Sequence, residues 1–459
     1  MDNLLQPIQP IFAAIDQAGG SALLVGGAVR DHLLGLPINT IKDIDIEVYG
    51  LTPDALYHAI APLGRVDAVG RSFGVLKIRL PNGRAIDLSV PQRRSEPIGG
   101  QPGSMPIPDP NISPAQAAAR RDFTWNAMAL TATGELLDFY EGRADLAAGM
   151  IRHTSAAFDE DPLRVLRAMQ FAARFDFALH PSTAERCRRL LPAAATLPIE
   201  RIWVEWSKWA TRGKRPSRGL QVLEQVGWIA HYPEIAALVG CPQDPEWHPE
   251  GDVFVHTQHV CDMAAQIADT AALDHEDRAV LLFAALCHDL GKPATTYQDQ
   301  HGRIRSPGHA EVGVEPTKAL LGRMGAPSSV ITMVVPLVRE HMSLIHDTPN
   351  PRSVRRLAVR LNPATITEWR RLVAADASGR PPLPPSDPGA SVAMLAVQQG
   401  AEHGKPVALV LGRDLISRGY TAGPHLGPIL RQAYSAQIDG EFETQAEALA
   451  WIEARFPTV

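Results

Sequence analysis

Cysteine is scarce and poorly spaced for chemistry. The four present, Cys187, Cys241, Cys261 and Cys287, form no C-x-x-C pair, which excludes a zinc knuckle and a disulfide framework and leaves buried free thiols as the reading. No run approaches the roughly 18 consecutive apolar residues that a membrane span needs. The opening MDNLLQPIQPIFAAIDQAGG lacks the basic start and small-residue cleavage site of a secretory signal and reads as a short amphipathic helix closed by Gly19 and Gly20. A cytoplasmic location is therefore expected. Internal repeats and low-complexity tracts are missing too, which sets aside solenoids and disordered arrays.

What is present is ordinary globular material, 45% apolar and 20% charged, in a length of 459 residues that calls for three or four domains. A net charge of −6 gives no hint of a polyanionic partner. Its distribution does: from Arg164 to Arg218 twelve Lys and Arg stand against four Asp and Glu, so the rest of the chain sums to −14. Such asymmetry is a candidate electrostatic footprint for nucleic acid.

From about residue 20 to 150 the pattern is mixed. SALLV, DIDIEVY, GVLKIRL and AIDLSV read as short strands, and TPDALYHAIAPL as a helix between them. SEPIGGQPGSMPIPDPNISP, residues 95–114, is too rich in Pro and Gly for helix or strand and is expected to be a long loop, a length often used for functional lids. From about 158 onward the reading is almost wholly helical, and GRPPLPPSDPGAS is a second linker before the C-terminal part.

The mixed region carries the first chemical pattern. Alternate residues of a strand share a face, so Asp43 and Asp45 project together while Ile44 and Ile46 turn to the core. Two carboxylates on one face suit magnesium, which takes few protein carboxylates and completes its shell with water and substrate phosphates. Asp87 in AIDLSV is a possible third carboxylate from a neighbouring strand, or else faces solvent at a sheet edge. Upstream, Gly26 and Gly27 allow close backbone approach to a ligand at the start of a helix. Arg30 in its first turn opposes the helix dipole unless an anion binds, and a triphosphate supplies one.

GGAVRD followed by DIDI and by GRSFG at 70–74 resembles the class II tRNA nucleotidyltransferases, the CCA-adding enzymes and related bacterial poly(A) polymerases. RRDFTWNAMAL at 120–130, DFYEGRADLAAGMIRH at 138–153, EDPLRVLRAMQFAARF at 160–175 and ERIWVE at 200–205 look like that family's head and neck motifs in order. The resemblance implies an α+β polymerase-β-like nucleotidyltransferase head, a mixed sheet with flanking helices, over 1–153. It further implies an all-α neck and body that selects nucleotide and binds RNA over 154–240, an all-α HD domain over 241–380, and a linker with a small helical tail over 381–459.

Asp43 and Asp45 would then be catalytic and hold Mg2+, with Gly27, Arg30, Arg121, Asp122, Asp161, Arg164 and Arg167 binding nucleotide. The family assigns the Arg121–Asp122 motif to the ribose 2′-hydroxyl. Asp161 and Arg164, three apart, are expected on one helix face continued by Arg167, Phe171 and Arg174. An aspartate accepting from an exocyclic amino group and an arginine donating to a ring nitrogen would admit cytosine and adenine and leave uracil or guanine with unpaired groups. Glu160, Glu200, Arg201 and Glu205 read as scaffold, and Trp203, Trp206 and Trp209 as core.

A second pattern spans 252–376: His256, the doublet His288–Asp289, His309, His341 and Asp376. Imidazoles and carboxylates from several helices can converge on a divalent metal. This resembles the HD phosphohydrolase superfamily, with His256, His288, Asp289 and Asp376 at the ligand positions and His309 and His341 as further ligands or phosphate contacts. The implied metal is a transition ion (Ni, Mn or Fe) or Mg2+. His259, Lys292 and His346 have no assigned role.

The expected function is untemplated addition of CCA to tRNA 3′ ends from CTP and ATP, with an HD phosphodiesterase or phosphatase acting on 2′,3′-cyclic phosphates or 2′-phosphates. The partners implied are tRNA, CTP and ATP, and neither DNA nor a membrane. The rivals are an A-only enzyme or poly(A) polymerase, an HD phosphohydrolase with an inactive RNA-binding head, and a catalytically silent RNA-binding protein. The loop at 95–114 favours full CCA addition by family analogy.

Overall fold

A computed structural model describes residues 2–37, 41, 43–67, 74–94 and 106–457. By compactness the chain divides into two units, Met1–Ala168 with Phe177–Ala194, and Met169–Asp176 with Ala195–Val459.

The first unit is built on a mixed sheet. Its strands are β1 (Ser21–Val25), β2 (Asp45–Tyr49), β3 (Arg65–Asp67), β4 (Val75–Arg79), β5 (Ala85–Ser89), β8 (Ala129–Leu130) and β9 (Leu136–Leu137), in the order β3-β4-β5-β2-β1-β8-β9. Within this sheet the described pairings are antiparallel except β2 with β5. Alternation explains the two faces. Leu24, Ile46, Val48, Leu76, Ile78, Ile86 and Leu88 are buried on one. On the other, Leu23, Val25, Tyr49 and Ala129 cluster with Ala117 from the helix Pro114–Ala119, while β2 and β5 present Asp45, Glu47, Asp87 and Ser89. Helix α1 (Gln9–Gln17) packs on β1, and α2 (Gly27–Leu33) follows it directly.

The expected loop at 95–114 is not structureless throughout. Pro106–Pro108 forms a strand, β7, antiparallel to β6 (Gln92–Arg94). Proline is tolerated there because, among the described residues, the ribbon has two strands and none beyond β7 that needs its N–H groups. Residues 95–105 of that loop, and 70–73 of the GRSFG motif, lie outside the described residues.

In the second unit, helices α3 (Ile199–Arg212), α4 (Pro216–Gln225), α5 (Val253–Thr270), α6 (His275–Cys287), α7 (Val314–Met324), α8 (Ser328–Glu340), α9 (Pro351–Leu361) and α10 (Ile366–Ser378) surround a core. From Arg278 to Cys287, α6 is buried on every side, as expected for a central helix touched by α3, α5, α8 and α10. Trp206 and Trp209 are fully buried. The Trp203 ring, half-buried, stacks on Phe283 at 5.2 Å between centroids. Each buried indole N–H finds an acceptor: Tyr232 Oη at 2.9 Å for Trp206 and the Pro216 carbonyl at 3.0 Å for Trp209. The tail forms its own cluster around Leu415, Ala448 and Ile452. All four cysteines are buried free thiols. Among the described residues no helix is long and apolar enough to cross a membrane.

Candidate active site and candidate metal centre

The head site is the polar stretch of the sheet's second face. Asp45 pairs in register with Asp87 on the parallel neighbour and with Val25 on β1, so Asp45, Glu47 and Asp87 share a face. Asp43 is exposed and lies two residues before the strand begins. Asp87 is on an interior strand, not an edge, and its carboxylate is 3.1 Å from Lys77 Nζ. Burial holds the Asp45 carboxyl above its usual range; Arg121 opposes this, and Asp87, Asp43 and Glu47 add to it. A carboxylate repelled by its neighbours is what a divalent cation relieves, so these residues fit a magnesium site.

Gly26, at φ +73°, closes the site from β1. A β-carbon there would sit 3.0 Å from Arg121 Nη1 and 3.6 Å from Asp45 Oδ2. Arg121 Nη2 donates to Glu47 Oε1 at 2.8 Å, and Tyr49 Oη donates to Glu47 Oε2 at 2.7 Å. Burial disfavours the Arg121 charge, but Glu47 and Asp45 more than offset it and raise its pKa. Glu47 is thus a partner that the D-x-D reading passed over, although it continues the same alternation.

Three expected nucleotide contacts are placed differently. Arg30 is 4% exposed and bonded to Asp31 Oδ1 at 2.7 Å and Asn126 Oδ1 at 2.7 Å, so the anion that balances it is the next side chain. Gly27 lies against Arg30 Nη2, 3.3 Å from where its β-carbon would be. Asp122 is also buried: Oδ1 accepts from Phe123 N at 2.8 Å and Asn126 Nδ2 at 3.0 Å, and Oδ2 from Arg167 Nε at 2.7 Å and Nη2 at 2.6 Å. These four donors fill the acceptor positions of a carboxylate. Burial opposes its ionisation, yet Arg167, Asn126 and Phe123 hold it below the usual range.

Asp161 precedes its helix instead of riding on it. The helix runs Leu163–Phe175, and the Asp161 carboxylate accepts from Leu163 N at 3.2 Å while its carbonyl accepts from Arg164 N at 3.0 Å. Pro162 favours extended backbone at 161, which is why the helix starts later than the spacing predicts. Arg164 donates Nη1 to the Ala157 carbonyl at 2.7 Å and Nη2 to the Arg120 carbonyl at 2.6 Å. Two of its five donors thereby fix the guanidinium plane. Glu160 braces Arg120 at 2.8 Å.

The second constellation converges where helices end. His288 caps α6 and His341 caps α8, each turning its Nδ1–H onto a last-turn carbonyl: Ala285 O at 2.7 Å and Val338 O at 2.6 Å. His309 does the same to Ser306 O at 2.8 Å. With Nδ1 donating, each neutral ring aims a lone pair from Nε2 inward. His309 and His341 Nε2 are 3.2 Å apart, and His288 and His256 Nε2 3.4 Å. At His309 and His341 two facing acceptors repel without a cation between them. Nitrogens bound to one ion at about 2.1 Å would stand about 3.0–3.4 Å apart.

Asp376 Oδ1 lies 3.0 Å from His256 Nε2, and Asp289 Oδ2 3.1 Å from His288 Nε2. All four expected ligands, His256, His288, Asp289 and Asp376, therefore meet. Asp289, His309 and His341 form a second donor group beside them. Burial opposes the charge of Asp289 and Asp376, but the imidazoles, and for Asp289 also Lys292, depress both carboxyl pKa values. Lys292 Nζ, without an assigned role in the sequence, is 2.7 Å from Asp289 Oδ2 and 2.6 Å from Gln243 Oε1. The donor set of imidazole and carboxylate fits a divalent metal.

Residues 22–152 match the family described as poly A polymerase head domain, and 253–375 the HD domain. The multifunctional CCA protein of Chromobacterium violaceum is 37% identical over 362 residues, 78% of this chain and 80% of that protein. That of Xanthomonas oryzae pv. oryzae is 36% identical over 444 residues, 92% and 99% of the two. The chain belongs to the multifunctional CCA protein family. It is a nucleotidyltransferase with an HD domain. Its fold is similar to that of a Bacillus stearothermophilus CCA-adding enzyme solved in complex with CTP (TM-score 0.68, 22% identity, 99% of this chain and 98% of that one). It is also similar to that of the Thermotoga maritima CCA-adding enzyme complexed with tRNA_CCA (TM-score 0.61, 19% identity, 99% and 96%).

Within this CCA-family chain, the sequence reading missed two further residues at the HD site. His248 and Glu250 lie in WHPEG, just upstream of α5. Glu250 Oε1 is 2.9 Å from His248 Nδ1 and 2.8 Å from His256 Nδ1. The signal was two metal-competent residues within eight of His256, in a turn whose Pro and Gly hide any periodicity.

Proposed function

We propose that this chain adds C, C and A to tRNA 3′ ends from CTP and ATP without a nucleic-acid template. The observation that carries the reading is the clustering of Asp45, Asp87 and Glu47 on one sheet face, with Asp43 just upstream and Arg121 and Gly26 against Asp45. Asp43 and Asp45 would hold Mg2+, whose chemistry there would be to activate the RNA 3′-hydroxyl and to neutralise charge on the departing pyrophosphate. Arg121, fixed by Glu47, lies beside that centre as a cation for the triphosphate. Arg164 presents a guanidinium held in one plane, and Asp161 an acceptor, to a cytosine or adenine edge. A ribose 2′-hydroxyl reaching Asp122 would take the place of one of its four present donors.

The segments 1–153, 154–240, 241–380 and 381–459 serve, in this reading, as head, neck and body, HD domain and tail. The HD site hydrolyses 2′,3′-cyclic phosphates or 2′-phosphates on RNA ends, using a divalent ion on His256, His288, Asp289 and Asp376. A cytoplasmic location accompanies both activities.

The test is a tRNA transcript lacking its 3′-CCA, incubated with labelled CTP, with ATP, and with both. CTP alone should add two residues, and ATP should follow only after them. Incorporation of ATP with CTP refused would overturn the assignment in favour of A-only addition.

A further inference from the structure

Three of the four inward imidazoles lean on backbone carbonyls; His256 does not. Its Nδ1 faces Glu250 Oε1 at 2.8 Å, and that same oxygen, on a side chain that is wholly buried, also meets His248 Nδ1 at 2.9 Å. The His248 and His256 rings stand edge to face with centroids 4.7 Å apart. Glu250 Oε2 is buried with no hydrogen-bond partner among the described residues. A buried carboxylate with one oxygen unanswered is costly unless its charge acts on something nearby.

A carboxylate beside Nδ1 instead of a carbonyl makes the imidazole a stronger base at Nε2 through its charge, the 2.8 Å contact here being an ion-pair approach outside hydrogen-bond alignment. His256 Nε2 is the atom that meets Asp376 at 3.0 Å and His288 Nε2 at 3.4 Å. We propose that Glu250, steadied by His248, is the positioning residue that sets the metal affinity of the HD site through His256. The proposal rests on the reading that this site holds a divalent ion, and its test separates the two.

The protein, stripped with a chelator and exchanged into Co2+ alone, is titrated by visible absorption, for wild type, Glu250→Gln and Glu250→Ala. Gln keeps the volume and an acceptor for Nδ1–H while removing the charge. The expected result is about 10-fold weaker Co2+ binding for E250Q and about 100-fold for E250A, with E250Q keeping the wild-type melting temperature without metal. The Co2+ absorption bands of E250Q should persist at saturation but shift, because the ligands remain and one has become a weaker donor. E250Q binding Co2+ as tightly as wild type, with unshifted bands, would overturn the proposal whatever E250A does. Wild-type protein that binds no Co2+ would instead overturn the metal reading itself, and this inference with it.

Discussion

Asp45 pays an electrostatic penalty that a bound cation or its own protonation removes. Its carboxyl titrates above the usual range because of burial and the nearby Asp87, Asp43 and Glu47, with Arg121 in partial opposition. The folded protein thus binds this proton more readily than the unfolded chain. The penalty is full above the folded pKa and fades as pH falls through it toward the ordinary Asp value near 4. Asp45→Asn should therefore melt higher than wild type at pH 8 in EDTA. The gap should close on acidification and narrow when Mg2+ is added to wild type. The same variant should lose about 1000-fold or more of nucleotide addition, since metal stabilisation of transition-state charge is worth several kcal/mol. Melting curves across pH and single-turnover incorporation check the two halves. A variant that is less stable at every pH would refute this account of Asp45.

At the scale of elements, glycine decides where backbones may touch. A β-carbon on Gly291 would lie 2.0 Å from the His309 carbonyl oxygen and 2.6 Å from Gly313 N, because the short helices Lys292–Thr295 and His309–Val312 meet there. Gly291→Ala must push them apart, carrying Lys292 and His309 from Asp289. The expected cost is about 1–3 kcal/mol from overpacking, with weakened metal binding. Gly322, exposed in α7 with open space around its missing β-carbon, is the control. Its Ala variant should gain about 0.5–1 kcal/mol. Denaturant midpoints of the two variants should shift in opposite directions, and Co2+ titrations should weaken only for Gly291→Ala.

The same elements show what a sequence discloses. The alternation in DIDIE announced a strand with acids on one face, because period two is a local property, but the strand starts only at Asp45 and Asp43 precedes it instead of riding on it. His288–Asp289 was legible because two polar residues closing an apolar helix need partners. The burial of Arg30 was not, since its partner Asn126 is 96 residues away. The late start of the Asp161 helix was signalled by Pro162 but outweighed by the three-residue spacing. Glu250 belonged to no periodic pattern at all.

Over the whole molecule, the excess of positive charge from 164 to 218 shrinks once partners are counted. Arg167 binds Asp122, Arg186 binds Asp159, Lys208 binds Glu205, and Arg215 and Arg218 share Asp176. Charge counting alone therefore overstates the surface left for RNA phosphates. The two proposed centres draw on separate donor sets: acids on a sheet face, and imidazoles with two carboxylates near helix ends. The acids of the head's sheet face, Asp45, Glu47 and Asp87, and Asp43 just before them lie between residues 43 and 87, while the acids of the HD site fall after 240. No described residue serves both. Asp289→Ala should consequently abolish hydrolysis of a chromogenic phosphodiester at every divalent metal tried, while labelled CTP and ATP enter the tRNA end at the wild-type rate. Asp45→Asn should give the converse pattern. Loss of nucleotide addition in a folded D289A protein would mean that the HD aspartate supports the head's chemistry, and the picture of two independent centres would fall.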